Sequence, residues 1–327
     1  MNIGILRRNG LGDLLCAYPL ILYFQKKYPA SSITLFVDTR NAPLLPYLPA
    51  VNEVVVFPAS GNKYWNHFRV AMRYRNQFDL AISAKTSPMK LSNLFLYWLK
   101  ARERRAYVDK KWTSYLINHP TPYDPIQAEK KHQALKGLNL IEPEMEEVPK
   151  EFYPTLSIPE SIKEKYKIEF SLPHPIIHVS ATINRPTSRF DPKRTASLLN
   201  RLHAVSPISV LVTGQKEDAS HARAITASLR MPHLVHFPRN FDEFMVLIDR
   251  SDLFFVGDGG VAHIGAALGK EQVVLFAETN PIAWHPLSTK AEILYHPVHV
   301  DQISDIAIFQ ALMGKLNRIM NCGRDNM

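Results

Sequence analysis

Three short stretches of the sequence place glycine, hydroxyl, carboxylate or arginine residues directly after apolar runs typical of β-strands. The longest is Leu253–Pro286. Its parts are a strand, a glycine turn, a small-residue helix and a second strand, namely Leu253–Val256, Gly257-Asp258-Gly259-Gly260, Val261–Leu268 and Gln272–Phe276. This order predicts one βαβ unit of a parallel sheet. Glycines let a ligand approach the backbone, and the free N–H groups of a helix start attract phosphate. We expect a phosphate site here; the alternative is a plain connection capped by Asp258, with His263 packed beside it.

A carboxylate occupies the comparable turn near the N-terminus, Gly10-Leu11-Gly12-Asp13, which follows the apolar run Asn2–Leu6. Ligands of doubly wound sheets bind at the carboxyl ends of the strands, so we expect Asp13 at that edge. There it can accept a proton as a general base, or simply cap the following helix. Because position 15 is Leu15, the two glycines do not form the GxGxxG signature of dinucleotide-dependent dehydrogenases.

The third stretch, Ser180–Arg189, has the sequence SATINRPTSR and follows the first strand of the second half. Its candidate ligand-binding residues are Ser180, Thr182, Arg185 and Arg189. Guanidinium forks match the oxygens of a diphosphate, and hydroxyl groups add hydrogen bonds. A solvated loop is the alternative.

A weaker signal follows the next strand, where Glu217 and Asp218 come after Thr213-Gly214. A carboxylate at this place can hold ribose hydroxyls, although Asp218 could equally cap a helix. The HxH, HExxH and CxxC metal motifs, the Walker phosphate loop and the GxSxG elbow are all missing from the sequence. We therefore expect neither a metal nor a cofactor.

Strands and helices alternate along both halves, which predicts two doubly wound α/β domains with a ligand cleft between them. The first-half strands are expected at Asn2–Leu6, Ile33–Val37, Val54–Phe57 and Leu80–Ser83, and its main helices at Asp13–Tyr28 and Asn66–Gln77. Strand signals fade between Asp109 and Lys150, where Glu142–Glu147 is typical of a linker. We place the domains at 1–158 and 159–327, and expect the final helix, within 301–318, to pack back toward the first domain.

The net charge of +9 is unevenly distributed over the 327 residues. Residues 1–150 hold 21 Lys and Arg against 12 Asp and Glu, whereas the remaining 177 hold 18 of each. A positive half attracts an anionic partner such as a phosphorylated substrate, an acidic membrane surface or nucleic acid, unless the charge serves only solubility. No motif typical of nucleic-acid readers is present. No apolar run is long enough to cross a membrane and the N-terminus lacks a signal peptide, so we expect a cytoplasmic protein.

The stretch Pro88–Leu99 crowds leucine and aromatic residues together, and Lys100–Arg105 follows it. An apolar segment flanked by cations suits an interface with anionic lipid, whereas a buried helix with solvated ends is the alternative.

The chain resembles glycosyltransferase family 9, the bacterial heptosyltransferases of lipopolysaccharide core assembly. Arg7 and Leu11-Gly12-Asp13-Leu14-Leu15 with Pro19 are similar to the family's opening signature, and Phe78-Asp79-Leu80-Ala81 to its midpoint strand. Asp258-Gly259-Gly260-Val261-Ala262-His263, followed by Ala266–Gly269, is similar to its main C-terminal motif. The likeness runs in order along nearly the whole chain.

The resemblance implies a GT-B fold, in which two Rossmann-like doubly wound domains face each other across a cleft. It implies an inverting, metal-independent transfer of a sugar, heptose from ADP-heptose, to an anionic acceptor of the lipopolysaccharide-core or lipid A type. Asp13 matches the family's general base. Donor contacts correspond to Ser180, Thr182, Arg185, Arg189, Glu217, Asp258, Gly259, Gly260 and His263. Acceptor contacts are expected at Arg7, Gly12, Lys85 and Lys90. The enzyme would attach peripherally to the cytoplasmic face of the inner membrane.

Two positions depart from the family pattern. The family's lysine beside a Trp-Pro pair is replaced within Ser188–Pro192, where Arg189 or Arg185 could supply the charge, and Gly259 stands where Ser or Thr is common. Two alternative functions therefore remain open. One is a sugar-nucleotide epimerase of the same fold, and the other is a degenerate nucleotide-sugar-binding protein at the membrane surface.

Overall fold

The computed structural model describes residues 1–48, 51–166, 171–182 and 185–324, with side chains up to residue 321. Residues 183–184 of the predicted stretch Ser180–Arg189 lie outside the described residues. The chain divides into two compact units, Met1–Pro154 and Thr155–Met327. The division falls at 154/155, close to the boundary placed at 158/159 from sequence.

The first unit contains a six-stranded parallel sheet. Its strands are β1 (Asn2–Arg7), β2 (Ser32–Val37), β3 (Glu53–Val56), β4 (Leu80–Ser83), β5 (Glu103–Val108) and β6 (His119–Pro122). Their order is β3-β2-β1-β4-β5-β6, and Ile3 of β1 pairs with Ile33 on one side and Leu80 on the other. This is the order of a Rossmann sheet, which reverses direction between β1 and β4.

Five helices accompany this sheet in the described part of the unit: α1 (Leu11–Lys27), α2 (Lys63–Arg73), α3 (Lys90–Leu99), α4 (Pro125–Glu129) and α5 (Gln133–Asn139). Asn62 caps α2 by accepting bonds from the N–H groups of Tyr64 and Trp65 at 2.9 and 3.2 Å. Such caps satisfy N–H groups that a helix start otherwise leaves free. One core is formed by Phe36, Phe78 and Phe95 with their neighbours.

The second unit repeats the same topology. Its strands are β7 (Ile176–Ser180), β8 (Ser209–Thr213), β9 (His233–His236), β10 (Leu253–Gly257), β11 (Glu271–Phe276) and β12 (Ala291–Tyr295). The order is β12-β11-β10-β7-β8-β9, all parallel where paired. Read from β9, this is again the Rossmann order, with its reversal between β7 and β10.

The helices described in the second unit are α6 (Glu160–Lys165), α7 (Pro192–Val205), α8 (Ala219–Thr226), α9 (Phe241–Asp249), α10 (Gly260–Ala267), α11 (Pro281–Trp284) and α12 (Asp305–Arg324). The final helix starts at Asp305, later than expected. Its buried residues Ile308, Leu312 and Leu316 belong to the core of its own unit, where α12 packs on α7 and β11.

Three strands were not recognised in the sequence: β5, β6 and β12. β5 begins with three charged residues, and β6 reads His-Pro-Thr-Pro. Proline is tolerated on an edge strand because its missing N–H faces solvent there. β12 is also an edge strand, with half-buried side chains and no clear alternation. The apolar periodicity that identifies central strands is therefore absent from all three.

Two further interpretations are settled by packing. Pro88–Leu99 contains a core helix, because Phe95, Leu96 and Leu99 are fully buried. The supposed linker Glu142–Glu147 is part of the first unit, where the Asn139 amide donates to the carbonyl groups of residues 142, 143 and 145. Among the helices that the structure describes, none has the length and apolarity that crossing a bilayer would require.

Candidate functional site

Both units place their candidate residues at the point where the strand order reverses. In the first unit, Asp13 follows β1 and Lys85 follows β4, the two neighbouring strands at the reversal. In the second unit, Ser180 ends β7 and Asp258 follows β10, which are likewise neighbours. Open α/β sheets bind ligands outside the carboxyl ends of the strands at this point. Each unit therefore presents one candidate binding edge.

The turn between β1 and α1 is formed differently from the sequence prediction. The left-handed residue is Asn9, with φ 87°, whereas Gly10 is extended at φ −87°. The helix begins at Leu11, so that Asp13 lies at its third position. From there the Asp13 Oδ2 accepts a bond from the N–H of Gly10 at 3.2 Å. Asp13 does cap the helix, as its simpler interpretation predicted.

The other carboxylate oxygen of Asp13 forms an ion pair with Arg7. The Arg7 side chain is 1% exposed, and its Nη2 donates to Asp13 Oδ1. Its remaining donors reach the carbonyl oxygens of Asp13 at 2.9 Å and Ala84 at 2.7 Å. Arg7 thus ties the end of β1 to the first turn of α1 and to the end of β4. The carboxylate it orients remains 22% exposed, so Asp13 is capped, paired and still open to a ligand.

Two lysines interact electrostatically with Arg7. Burial lowers the pKa of Lys85, and Arg7 lowers it further, while Asp13 opposes both. Burial likewise lowers the pKa of Lys136 to about 8, again with Arg7 acting in the same direction. The Lys136 ammonium donates to the carbonyl of Ala128 at 3.0 Å. The first unit therefore groups three partly or fully buried cations, Arg7, Lys85 and Lys136, of which Arg7 pairs with Asp13. Such a group of cations is suited to an anionic ligand.

In the second unit, Asp258 forms an ion pair at the start of α10. Arg185 Nη1 donates to Asp258 Oδ2 and to the hydroxyl oxygen of Thr279. Burial raises the pKa of Asp258, and the bonds from Thr279 and Arg185 oppose that shift. The Arg185 side chain is 52% exposed, so its guanidinium retains donors that face solvent. A diphosphate near the helix start would meet these donors first.

The glycines of this turn leave room for a ligand. Gly259 precedes α10 in an extended conformation, and a Cβ added to it would have no atom within 4 Å. Gly260 is the first residue of α10, and His263, one turn later, is buried at 7% exposure. A helix start leaves N–H groups without intrahelical partners, and the open space beside Gly259 gives a phosphate room to approach this one.

A hydroxyl–carboxylate network lies after β7 and β8. Thr182 Oγ1 donates to Asp218 Oδ2 at 2.5 Å and accepts from the N–H of Gln215 at 2.9 Å. Arg189 pairs with the other oxygen of Asp218 at 3.5 Å, and Ser180 donates to the carbonyl of Thr182 at 3.2 Å. The sequence left open whether Asp218 caps a helix or contacts a ligand. In the structure its carboxylate connects Thr182 with Arg189.

The structure therefore groups most candidates in two clusters. Arg7, Gly12, Asp13 and Lys85 lie together in the first unit. The donor candidates Arg185 and Asp258 are in direct contact, and Ser180, Thr182 and Arg189 share the Asp218 network. Glu217 is exposed beside that network, and Lys90 lies on a different surface, near the rings of Tyr64 and Trp112.

Sequence reasoning missed Lys136 and Thr279. Thr279 follows β11, so the rule that polar residues after strand ends carry function could have identified it. Lys136 gave no local signal, because only its 5% exposure and its proximity to Arg7 make it notable.

Known proteins are similar to this chain along most of its length. The model of glycosyltransferase family 9 (heptosyltransferase) matches residues 67–303. Lipopolysaccharide heptosyltransferase 3 of Escherichia coli is 24% identical over 291 residues, covering 85% of this chain and 84% of that protein. Lipooligosaccharide heptosyltransferase 2 of Haemophilus influenzae is 24% identical over 319 residues, covering 90% and 88%.

The likeness extends to a solved structure. That of the E. coli ADP-heptose heptosyltransferase II matches with a TM-score of 0.77 and 20% identity, covering 97% of this chain and 99% of that one. At this identity the match establishes the fold, and the expected two-domain GT-B architecture is confirmed.

Proposed function

The chain belongs to glycosyltransferase family 9, and from this premise we propose that it transfers heptose from ADP-heptose to an anionic acceptor of the lipopolysaccharide-core or lipid A type. The resemblance found in the sequence is confirmed, and the protein is a glycosyltransferase. The names of its E. coli and H. influenzae relatives support heptose as the sugar and a lipopolysaccharide or lipooligosaccharide acceptor. A relative named for ADP-heptose supports the donor.

The observation that carries the proposal is that the Asp13 carboxylate is fixed in one orientation and remains partly exposed. Arg7 and the Gly10 N–H fix its orientation, and its remaining exposure lets an acceptor hydroxyl reach it. In the proposed reaction the acceptor oxygen bonds to the anomeric carbon while the bond from that carbon to the diphosphate breaks. Asp13 takes the hydroxyl proton, and ADP leaves. Attack opposite the leaving group inverts the anomeric configuration. A positioned base contributes roughly 10²–10⁴-fold to such a step.

The donor cluster supplies the charge that the leaving diphosphate needs. The start of α10 offers N–H groups, and Arg185 and Arg189 offer guanidinium donors. Preorganised donors aimed at developing negative charge are the largest contribution in many enzymes. We propose that they stabilise ADP without a metal. Arg185 takes the place of the family lysine, because it is the arginine that contacts Asp258 of the main motif.

The acceptor cluster suits an anionic glycolipid. Lys85 and Lys136 lie beside Arg7, and the excess positive charge of the chain falls within residues 1–150. We propose that Lys85 and Lys136 bind phosphate or carboxylate groups of the acceptor, and that the protein attaches peripherally to the cytoplasmic face of the inner membrane.

A transfer assay with the full-length chain tests the proposal. The protein is incubated with ADP-heptose and a core-type acceptor, with and without a chelator, and the product is followed by mass spectrometry. We expect the acceptor to gain one heptose in both conditions. NMR of the product should show an anomeric configuration opposite to that of the donor. Donor turnover without acceptor would instead identify an epimerase. Failure of calorimetry to detect binding of any ADP-, UDP-, GDP- or TDP-sugar would instead indicate a protein with a degenerate donor site.

A further inference from the structure

Three segments of the first unit bring exposed aromatic side chains together around one lysine. The segments are the start of α2, the start of α3 and the 3-10 helix Trp112–Leu116. The ammonium of Lys90 lies 6.0 Å from the ring centroid of Tyr64 and 5.7 Å from that of Trp112. These distances are those of cation–π contacts, so the two rings and the lysine form one continuous surface.

The aromatic rings on this surface are exposed to solvent. Trp112 is 59% and Tyr115 is 87% exposed, and residues three apart on a 3-10 helix lie on the same face. Trp65 is 58% exposed and stacks on Phe68 with ring centroids 5.5 Å apart. We call these residues the aromatic–lysine surface: Lys63, Tyr64, Trp65, Lys90, Trp112 and Tyr115. Exposed apolar surface grouped in this way marks an interaction site.

The charge of this surface is positive. The ammonium of Lys63 lies 5.8 Å from the ring of Tyr64, so a second cation adjoins the same aromatic ring. The neighbouring carboxylate of Asp109 pairs with Lys111 at 3.3 Å and accepts from the Ser114 hydroxyl at 3.2 Å. Asp109 therefore neutralises Lys111 and leaves the charges of Lys63 and Lys90 available to a partner.

We propose that the aromatic–lysine surface docks on an anionic lipid bilayer. Tryptophan and tyrosine favour the headgroup level of membranes, where lysines keep their ammonium groups among lipid phosphates. A side chain as prominent as Tyr115 inserts readily into a deformable headgroup layer. The aromatic–lysine surface differs from the stretch Pro88–Leu99 that the sequence suggested, because several apolar residues of that stretch, among them Phe95, Leu96 and Leu99, are buried in the core.

This docking deepens the membrane association of the proposed function and rests on it. The surface is continuous in sequence with the acceptor cluster, because Lys85 follows β4 and Lys90 begins α3. Docking at the start of α3 would hold the first unit, which carries the proposed acceptor residues, against the bilayer. A lipid-anchored acceptor would then meet that unit without leaving the membrane.

Vesicle co-sedimentation of the full-length protein tests this inference. We expect binding to vesicles of phosphatidylcholine mixed with phosphatidylglycerol, and much weaker binding to phosphatidylcholine alone. A Trp112→Ser/Tyr115→Ser double variant should lose about tenfold or more in partitioning, since each large side chain contributes roughly 1.5–3 kcal/mol when fully buried. Lys90→Gln should lose about fivefold, the equivalent of about 1 kcal/mol per lysine near an anionic surface.

The matched control is Tyr295→Ser, which removes a tyrosine 45% exposed on β12 of the second unit. It should bind vesicles like the unmodified protein. Circular dichroism and donor calorimetry, neither of which needs lipid, show whether each variant is folded. Absence of vesicle binding by the unmodified protein, or equal binding by the folded double variant, overturns the inference. Because no transfer is measured, that result would leave the transferase proposal standing.

Discussion

Replacing Asp13 with asparagine should separate its catalytic role from its structural one. The Gly10 N–H, now bonded to Oδ2 at 3.2 Å, can bond to the amide oxygen instead, so the helix cap survives. Arg7 keeps its bonds to the carbonyl oxygens of Ala84 and residue 13, at 2.7 and 2.9 Å. The amide nitrogen then stands in place of Oδ1 and cannot accept, so Arg7 loses its charge-assisted bond to that oxygen. That loss costs about 1.5–3 kcal/mol of unfolding free energy. Alanine would leave the buried guanidinium without a side-chain partner, at a cost of about 3–5 kcal/mol.

The catalytic effect should be much larger than the effect on stability. An amide cannot take the proton of the acceptor hydroxyl, so kcat should fall by roughly 10²–10⁴-fold. Donor affinity should stay near normal, since Asp13 belongs to the first unit and the donor cluster to the second. Transfer is measured at saturating ADP-heptose, donor affinity by calorimetry, and the unfolding midpoint by thermal denaturation.

The matched control is Asp79→Asn, which alters a more exposed carboxylate that also bonds a backbone N–H and lies near an arginine, at the amino end of β4 in the same sheet. Asp79 accepts from the N–H of Asn2 at 2.9 Å and lies 3.8 Å from Arg102. Transfer by this variant should be close to normal. If Asp13→Asn keeps kcat within about threefold, well short of a lost general base, Asp13 is not the base. Equal losses in both variants would point to general destabilisation.

Three further changes test other parts of the structure. Arg185→Ala should weaken donor binding about 10- to 100-fold in calorimetry, because charge-assisted hydrogen bonds contribute roughly 1.5–3 kcal/mol. Gly259→Ala should change the unfolding free energy by about 0.5 kcal/mol or less, whereas Gly265→Ala should cost about 1–3 kcal/mol, since its Cβ would lie 2.9 Å from the buried Phe254 ring. Burial lowers the pKa of His178 to about 3 and that of His67 to about 4. Below about pH 6.5 the unfolded chain therefore binds more protons than the folded chain. As the pH falls below that value, each histidine lowers the free energy of unfolding by about 1.4 kcal/mol per pH unit.

Each of these predictions has its own control. Arg223→Ala, an exposed arginine on α8, should leave donor affinity unchanged. The two glycine variants control each other, because both positions belong to the same turn-and-helix unit. Equal unfolding midpoints in urea would show that the Phe254 ring can move to make room for the added methyl group. For the histidines, urea unfolding is compared at about pH 7 and about pH 5. A His178→Gln variant with an undiminished pH slope would show that this ring is protonated in the folded chain.

Much of the site could be read from local sequence because its residues follow strands. Glycine turns between apolar runs predicted where β1 and β10 end, and strand ends at a reversal of sheet order are where α/β proteins bind ligands. Asp13 and Asp258 were found in this way. The strands β5, β6 and β12 were not, because β5 begins with three charged residues, β6 contains two prolines and β12 shows no clear alternation. None of them carries the apolar pattern from which a central strand is predicted.

The amino-acid sequence by itself determined the alternation of strands and helices, the glycine turns and the family, because these depend on residues close together in the chain. Only the tertiary structure decided which charges meet. It buried Arg7 against Asp13, placed Lys136 near Arg7 and directed Arg185 to Asp258 and Thr279. It also sent the leucines of α3 into the core and left Trp112 and Tyr115 outside. Burial and ion pairing depend on residues far apart in sequence, which periodicity does not encode.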